Sequence, residues 1–126
     1  MSIVGLGTDI VEIARLQKIF AAHGERFARR LLSEPEYLEF VDAVAPAALL
    51  ARRFAAKEAA AKALGCGIGA EAGFHDLIVA HGATGAPQLV FNGPAAARAE
   101  WLGVSSTHLS ISDERAYAMA VVILER

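Results

Sequence analysis

The sequence predicts a small α+β domain in which a mostly antiparallel sheet packs against a long central helix. Three observations predict this class. Apolar, β-branched runs occur at both ends of the chain, a long helical pattern fills its middle, and the elements follow the order strand, helices, two strands, helix, two strands. With 126 residues, 55% of them hydrophobic, the chain can bury one core, so we expect a single domain over residues 1–126.

The first strand is predicted over residues 2–11, which are apolar and β-branched. Alternation along this strand puts Asp9 on the same face as Gly5 and Gly7. The two glycines would leave space beside the carboxylate for a ligand. A helix follows, because the apolar period becomes helical, and Gly24 is a suitable residue to end it.

Three further helical segments fill the middle of the chain. A short one covers residues 25–32. Ser33 stands three residues before Glu36, which predicts a capping box and a helix that runs to about Val44. Pro46 then opens the long central helix, which a glycine-rich loop ends.

The remaining elements are two strands, a helix and two more strands. Strands are predicted around 74–81 and 87–92, joined by a glycine-containing turn. A helix bounded by glycines covers 93–103. The runs "STHLSIS" and "YAMAVVILE" are then typical of strands, and a polar turn separates them.

Composition argues against several classes of protein. No apolar run approaches the roughly 20 residues that span a bilayer. The N-terminus lacks the pattern of a secretory signal, and Cys66 has no second cysteine with which to form an internal disulfide. We therefore expect a cytoplasmic protein without membrane insertion. The formal net charge of -2 argues against general nucleic-acid binding.

Asp9 is the first candidate functional residue. A carboxylate that is buried without a partner costs several kcal/mol, so Asp9 must meet a cation, hydrogen-bond donors or water. The alternative is that Asp9 lies at the frayed end of its strand and caps the helix that begins near Glu12. The local sequence supports both interpretations equally.

A second candidate pair lies on the central helix. Glu58 and Lys62 are four residues apart with the glutamate first, which suits a simple helical ion pair worth about 0.2–0.5 kcal/mol. The local sequence alone favours this structural interpretation.

The neighbouring charges suggest a chemical function for the same helix. Lys57 falls within the apolar face, where it either snorkels to the surface or binds an anion. Together with Arg53 and Lys62 it forms a basic cluster suited to phosphate oxygens, while Glu58 and Asp9 offer two oxygen ligands for magnesium. Magnesium takes its remaining ligands from waters and substrate phosphates, so this set suggests phosphoryl-type transfer.

A basic block precedes these residues. Between positions 15 and 30, five arginine and lysine residues are opposed only by Glu25. An acidic partner would be bound locally at this end of the chain. A solvated helix face is the more common explanation of such blocks.

Three stretches of the chain carry a resemblance to a known family. They are "GLGTDIVEIARL" near the start, "RFAAKEAAAKALGCGIG" in the middle and "HLSISDERAYAMAVVILE" at the end. The specific patterns are G-x-D-x-x-E-I, from Gly7 to Ile13, and F-x-x-K-E-A-x-x-K, from Phe54 to Lys62. In this order the stretches resemble the holo-acyl-carrier-protein synthase family of 4'-phosphopantetheinyl transferases, over essentially the whole chain. The third stretch is the least specific of the three, and we assign no role to Asp113.

The resemblance implies an activity. Members of this family move phosphopantetheine from coenzyme A to a serine of apo-acyl carrier protein, with magnesium, and release adenosine 3',5'-bisphosphate. The resemblance also implies a homotrimer in fatty acid biosynthesis, with coenzyme A in clefts between subunits and the acidic carrier protein on the basic first helix.

The resemblance further implies roles for single residues. It makes Asp9 and Glu58 the magnesium ligands, and it makes Glu58 and Lys62 the catalytic residues, with Lys62 neutralising or protonating the departing phosphate. The serine's proton would pass to Glu58 or to a water activated by magnesium, and a ligating carboxylate is the weaker base, which favours the water. The expected coenzyme A contacts are Arg53, Lys57, Lys62, Gly65, Gly67 and His108. The expected carrier-protein contacts are Arg15, by resemblance, and Lys18, Arg26 and Arg29, by charge and proximity.

Two other classes of function stay open at this point. One is a non-catalytic domain that binds coenzyme A or acyl carrier protein, which would bind the nucleotide without forming a covalent product. The other is a purely structural trimer. The burial cost of Asp9 and the clustered basic residues argue against that second class.

Overall fold

The computed structural model describes all 126 residues and contains five α-helices and five β-strands. The helices are α1 (Ile13–His23), α2 (Glu25–Leu31), α3 (Glu34–Val41), α4 (Pro46–Ala63) and α5 (Gly93–Leu102). The strands are β1 (Ile3–Glu12), β2 (Leu77–His81), β3 (Pro87–Phe91), β4 (Ser106–Asp113) and β5 (Tyr117–Glu125). None of these helices combines the length and the apolarity that a membrane crossing requires. The predicted α+β class and the predicted order of elements are confirmed.

The strands form two separate antiparallel groups. β5 lies between β1 and β4 in a three-stranded sheet, while β2 and β3 form a hairpin. In the larger sheet, Asp9 of β1 stands opposite Ala120 of β5, which stands opposite Ile111 of β4. The hairpin approaches the larger sheet along β3, where the Thr107 hydroxyl donates to the backbone oxygen of Leu89 at 3.4 Å.

Local signals determine most helix ends. Gly24, with φ of 60°, ends α1. The predicted capping box is present at the start of α3, because the Ser33 hydroxyl and backbone N–H both donate to Glu36 Oε1, at 2.7 and 2.8 Å. α3 ends at Val41, three residues earlier than predicted, where the chain tightens into a turn. Residues 74–76 form a 3-10 turn, so β2 begins later than predicted.

α4 lies in the core, and alanine makes up most of its buried face. Gly5 and Gly7 of β1 contact this helix so closely that a Cβ at Gly7 would lie 1.9 Å from the Ala59 carbonyl oxygen, and one at Gly5 would lie 2.1 Å from the Ala63 carbonyl oxygen. The prediction that these glycines leave space for a ligand is therefore wrong, because the backbone of α4 fills that space. Their effect is to bring α4 against the strand that carries Asp9.

The two faces of the larger sheet differ in their surroundings. The inner face packs against α4 through buried residues of β5, which are Ala118, Ala120, Val122 and Leu124. The outer face is left uncovered by the rest of the chain. Leu6 and Ile10 on this face are 61% and 65% exposed, and Met119 is 39% exposed. One copy of the chain therefore presents an apolar sheet face to its surroundings.

Candidate active site

Asp9 lies within β1, on the face turned towards α4. Its Oδ1 atom accepts a hydrogen bond from Lys62 Nζ at 3.2 Å, whereas its Oδ2 atom is buried and has no hydrogen-bond partner. Asp9 does not cap α1, because the N-cap residue is Glu12 and no side chain bonds there. Since a buried acceptor without a donor is costly, Asp9 is suited to bind a group from outside the chain.

Glu58 is partly buried on α4. Burial raises the pKa of the Glu58 carboxyl, and the negative charge of Asp9 raises this pKa further. The positive charges of Lys62 and Arg15 act in the opposite direction. The carboxylates of Asp9 and Glu58 are thus close enough to repel each other, and a divalent cation between them would relieve that repulsion.

Lys62 connects α4 to β1. Its Nζ atom donates to the backbone oxygen of Thr8 at 2.9 Å as well as to Asp9. The lysine makes its ion pair with Asp9, so the structure does not contain the simple helical pair with Glu58. Its side chain is 51% exposed, which leaves the ammonium group accessible to a ligand. We refer to Asp9, Glu58 and Lys62 as the carboxylate cluster.

The carboxylate cluster fits a magnesium ion that keeps several of its waters. No group of three or more His, Cys, Asp and Glu side chains in the chain is arranged to hold a metal. Magnesium is commonly bound through one or two carboxylates plus substrate phosphates, and Asp9 and Glu58 supply two. A cation here would complete the bonding of the unpartnered Asp9 Oδ2 atom.

Lys57 does not join the carboxylate cluster. Its side chain is 0% exposed, and its Nζ atom lies 2.6 Å from Glu36 Oε1 and 2.7 Å from the backbone oxygen of Phe74. Burial lowers the pKa of the Lys57 ammonium group, and Glu36 partly offsets this effect. The prediction that Lys57 contacts coenzyme A is therefore wrong, because protein atoms enclose the ammonium group. The snorkelling alternative is wrong for the same reason.

Arg53 is also nearly buried, with 4% of its side chain exposed. Its Nη2 atom donates to Glu39 at 3.0 Å and lies 3.2 Å from His81 Nε2, while its Nε atom has no hydrogen-bond partner. The three side chains line a cavity of about 400 Å³ that contains no residue of the carboxylate cluster. The sequence predicts that Arg53, Lys57 and Lys62 form one basic cluster. In the structure, Arg53 and Lys57 are buried away from Lys62.

The glycine loop and His108 occupy different parts of the molecule. Gly65 and Gly67 have φ of 79° and 68°, values that glycine adopts readily, so the chain turns directly after α4. His108 lies on the outer face of β4, with its Nε2 atom 2.6 Å from Glu125 Oε1. Along β4 it is three residues, or about 10 Å, from Ile111, which shares the row of Asp9. Within one chain, His108 does not meet the carboxylate cluster.

Arg15 lies closer to the carboxylate cluster than the other predicted carrier contacts. Its guanidinium carbon is 5.6 Å from the centre of the Phe54 ring on α4. Its charge also lowers the pKa of Glu58. Arg15 is exposed, so a partner bound to it would stand beside the cluster.

The other three predicted carrier contacts differ in how free their charges are. Lys18 and Arg26 are exposed. The guanidinium of Arg29 is already occupied, because its Nε atom pairs with Glu25 at 2.8 Å and the group lies 4.0 Å from the centre of the Tyr37 ring.

Glu36 is the residue whose importance the sequence analysis missed. Besides capping α3, it accepts hydrogen bonds from Lys57 Nζ and from the backbone N–H of Val79 on β2, the latter at 3.1 Å. We call Ser33, Glu36, Lys57 and Val79 the buried charge network. The sequence shows a capping glutamate at position 36 and a lysine on the apolar face of the helix at position 57. It contains no signal that these two side chains contact each other.

Comparison with known proteins gives consistent matches over this fold. Residues 5–122 match the sequence profile described as the 4'-phosphopantetheinyl transferase superfamily. A holo-[acyl-carrier-protein] synthase of Vibrio cholerae serotype O1 is 55% identical over 124 residues, which are 98% of each chain.

Solved structures agree with this match. A crystal structure of holo-[acyl-carrier-protein] synthase from Neisseria meningitidis covers 99% of this chain and 100% of its own, with 40% identity and a TM-score of 0.94. The Helicobacter pylori holo-[acyl-carrier-protein] synthase in complex with coenzyme A covers 95% of this chain and 99% of its own, with 32% identity and a TM-score of 0.84. Because these matches include both the strand of Asp9 and the helix of Glu58 and Lys62, the chain belongs to the 4'-phosphopantetheinyl transferase superfamily.

Proposed function

We propose that the carboxylate cluster is the active site of a magnesium-dependent transferase. The chain transfers 4'-phosphopantetheine from coenzyme A to a serine of apo-acyl carrier protein, the activity for which its relatives are named. The observation that carries the proposal is the buried Oδ2 atom of Asp9, which has no donor in the chain and lies near a second carboxylate, Glu58.

Asp9 and Glu58 would hold the magnesium ion. When bound, magnesium would offset the negative charge of the pyrophosphate oxygens of coenzyme A. The raised pKa of Glu58 fits this role, because a carboxylate whose ionisation is disfavoured in the free protein gains most from a nearby cation.

Transfer requires one bond to form and one to break at the β-phosphorus of coenzyme A. The serine oxygen of the carrier forms the new P–O bond, and the bond to the oxygen of the departing adenosine 3',5'-bisphosphate breaks. Lys62 offsets the charge that develops on this departing phosphate, since its ammonium group is half exposed and can leave Asp9. The serine proton passes to Glu58 or to a water, and the water is favoured because a carboxylate that ligates a cation is the weaker base.

The remaining coenzyme A contacts would come from three places. The loop at Gly65 and Gly67 directly follows α4. A Cβ at Gly67 would meet no atom within 4 Å, so a ligand can approach this loop closely. Arg53 and the adjacent Arg52 line one cavity, where a phosphate would have to displace Glu39 from its pair with Arg53. His108 would contribute from a neighbouring subunit.

A homotrimer would explain the position of His108. The outer face of the larger sheet carries both His108 and exposed apolar residues such as Leu6, Ile10 and Met119. Covering this face with a second copy of the chain would bury the apolar surface and bring His108 to a subunit interface. Subunit number is the part of this proposal that rests on the family resemblance.

The acidic carrier protein would bind the basic surface formed by α1 and α2. Arg15 is the central contact, because it is exposed and stands next to the carboxylate cluster. Lys18 and Arg26 would add positive charge, and Arg29 would have to exchange its pair with Glu25. Such a reaction takes place in the cytoplasm and supplies holo-carrier protein for fatty acid biosynthesis.

Intact-mass spectrometry tests the function directly. Apo-acyl carrier protein is incubated with coenzyme A, magnesium and this protein, and a matched reaction contains a chelator. We expect a chelator-sensitive gain of one phosphopantetheine group on the carrier. No gain on any of several carriers, with coenzyme A still bound to the protein, would support a non-catalytic binding domain instead.

A further inference from the structure

We propose that the buried pair of Lys57 and Glu36 fixes the rotation of α4 and thereby positions Glu58 and Lys62 against Asp9. Lys57 is then a positioning residue and does not touch the substrate. The inference rests on the proposed function in one respect, because it takes Asp9 and Glu58 as the magnesium ligands.

The contacts of Lys57 hold α4 to two other elements. Through Glu36, its ammonium group is tied to the start of α3 and to the backbone of β2 at Val79. A further hydrogen bond joins it to the backbone oxygen of Phe74, in the turn before β2. Both side chains are enclosed, with 0% and 1% exposure. One residue of α4 is thus fixed in direction by two partners, Glu36 and Phe74, that belong to distant parts of the chain.

Stability alone is a weak reason for such a pair. Two charges lose much of their hydration on burial, and well-packed apolar residues of similar volume often serve as well or better. A buried ion pair does, however, fix geometry, because hydrogen bonds to Lys57 Nζ are directional and apolar contacts are not. Such a pair is useful where a neighbouring part of the molecule needs fixed geometry.

The apolar packing of α4 against β1 contributes little to fixing the rotation of the helix. Regular helix packing relies on side-chain ridges that enter grooves on the neighbour. The buried side of α4 is lined mainly by methyl groups, and β1 faces it with two glycines. The fully buried alanines of α4 are Ala51, Ala55, Ala56, Ala59, Ala60 and Ala61. Such a surface permits close approach but provides only shallow ridges, so directional contacts matter, and Lys57 makes the most deeply buried of those on α4.

Around the circumference of α4, Glu58 and Lys62 lie between Lys57 and the alanine face that packs against β1. Successive residues of a helix are about 100° apart, so Glu58 and Lys62 lie about 100° and 140° from Lys57, and Ala59 and Ala63 lie about 200° and 240° away. At a radius of about 6 Å, a rotation of about 10° moves the Glu58 carboxylate by roughly 1 Å. Catalytic groups need positions accurate to about half that distance. The Lys57 contacts are therefore well placed to control the geometry of the carboxylate cluster.

The test measures metal binding and transfer separately in the full-length protein. Mn²⁺ alone, followed by its electron paramagnetic resonance signal, reports the metal site in the absence of coenzyme A. We expect Lys57→Met to raise the Mn²⁺ dissociation constant at least about tenfold, as loss of supporting contacts around metal ligands does elsewhere. Transfer should lose kcat by a similar factor, whereas KM for the carrier should not change.

A matched control separates positioning from stability. Leu50 lies two turns before Lys57 on the same side of α4 and is also fully buried. Leu50→Ala should lower the melting temperature but leave the Mn²⁺ dissociation constant of the folded protein unchanged. Equal weakening of Mn²⁺ binding in both variants would reduce the effect of Lys57 to stability and overturn the proposal.

A double variant guards against loss of folding. Glu36→Gln combined with Lys57→Met removes both charges of the pair, keeps an acceptor for Ser33 and leaves Arg53 paired with Glu39. We expect this variant to fold and to bind Mn²⁺ weakly. Wild-type affinity in a folded double variant would overturn the positioning role, and so would failure to fold, which would make the pair a folding requirement. Wild-type protein that binds no Mn²⁺ and transfers nothing would instead refute the proposed function.

Discussion

Two groups of charged side chains lie along α4, and they differ in how completely the chain satisfies them. In the buried charge network, Glu36 receives four hydrogen bonds and Lys57 makes two, with no exposed atom on Lys57. In the carboxylate cluster, one oxygen of Asp9 has no partner and Lys62 is half exposed. A satisfied group of charges holds the fold together, and an unsatisfied group is available to a ligand.

The difference shows why charge alone is a poor guide to function. Lys57 and Lys62 are five residues apart on one helix, and either could contact a phosphate by its chemistry. Lys57 has lost that possibility because its ammonium group is enclosed by Glu36 and Phe74. Lys62 retains it because its pair with Asp9 lies at the surface.

The largest effect is expected from breaking the buried charge network at Glu36. Glu36→Ala leaves the Lys57 ammonium group buried without a counter-charge, which should cost about 3–5 kcal/mol of unfolding free energy. Chemical denaturation measures this loss. A loss smaller than about 1 kcal/mol would show that the buried charge network contributes little to stability. That result would contradict the difference between the network and the carboxylate cluster.

Asp9→Asn should have the opposite pattern, with a large effect on activity and little effect on folding. Loss of this carboxylate removes a magnesium ligand, so we expect transfer to fall by about 10²- to 10³-fold. The unfolding free energy should fall by no more than about 1 kcal/mol, since Asp9 Oδ2 makes no hydrogen bond in the chain and the pair of Oδ1 with the half-exposed Lys62 is worth little. Intact-mass transfer assays and denaturation curves on the same preparation check both parts. Activity near the wild-type level would remove Asp9 from the metal site.

Arg15→Glu should weaken binding of the acidic carrier by about tenfold at low salt. The apparent affinity for coenzyme A should change less, because Arg15 stands beside the cluster and not within it. The defect should shrink at high salt, where screening weakens the interaction between the charges. Arg126→Glu, an equal charge reversal at the C-terminal residue, serves as the control. If the KM for the carrier does not change, Arg15 is not a docking residue.

The smallest effect is a gain of stability in Glu58→Gln without magnesium. Because folding raises the Glu58 pKa, the stabilisation linked to its protonated form is complete below the ordinary carboxyl pKa and is lost as the pH rises through the raised pKa. Glutamine does not ionise, so the variant should be more stable than the wild type at neutral pH, by less than about 1 kcal/mol since Glu58 is partly exposed. Thermal unfolding across pH should show this difference disappearing in acid. A variant that is less stable at neutral pH would contradict the repulsion between Glu58 and Asp9.

Sequence reasoning was most successful where the controlling contacts are local. The capping box of Ser33 and Glu36, the proline at the start of α4 and the glycine that ends α1 were all predicted, and the structure contains them. Each depends on residues a few positions apart, so a short window of sequence carries the needed information. α3 was predicted too long because the turn that ends it has no strong breaker before Pro46.

Distant pairs were harder to predict. Gly5 and Gly7 were correctly placed on the face of Asp9, but their purpose was misjudged because α4, the element they contact, is more than 50 residues away in sequence. The basic cluster and the family resemblance place Lys57 in the coenzyme A site, and nothing in the sequence links it to Glu36 instead. His108 could be placed on a strand, but its distance from Asp9 depends on the order of the strands in the sheet.

The sequence by itself determined the α+β class, the order of the elements, the family patterns and the three residues of the carboxylate cluster as candidates. These follow from hydrophobic periodicity, capping residues and short motifs, all of which are properties of neighbouring positions. Only the tertiary structure decided which lysine of α4 is enclosed and which is free, and it decided that one oxygen of Asp9 is left without a donor. The physical reason is that burial and hydrogen bonding depend on what lies opposite each side chain, and those partners come from distant parts of the chain.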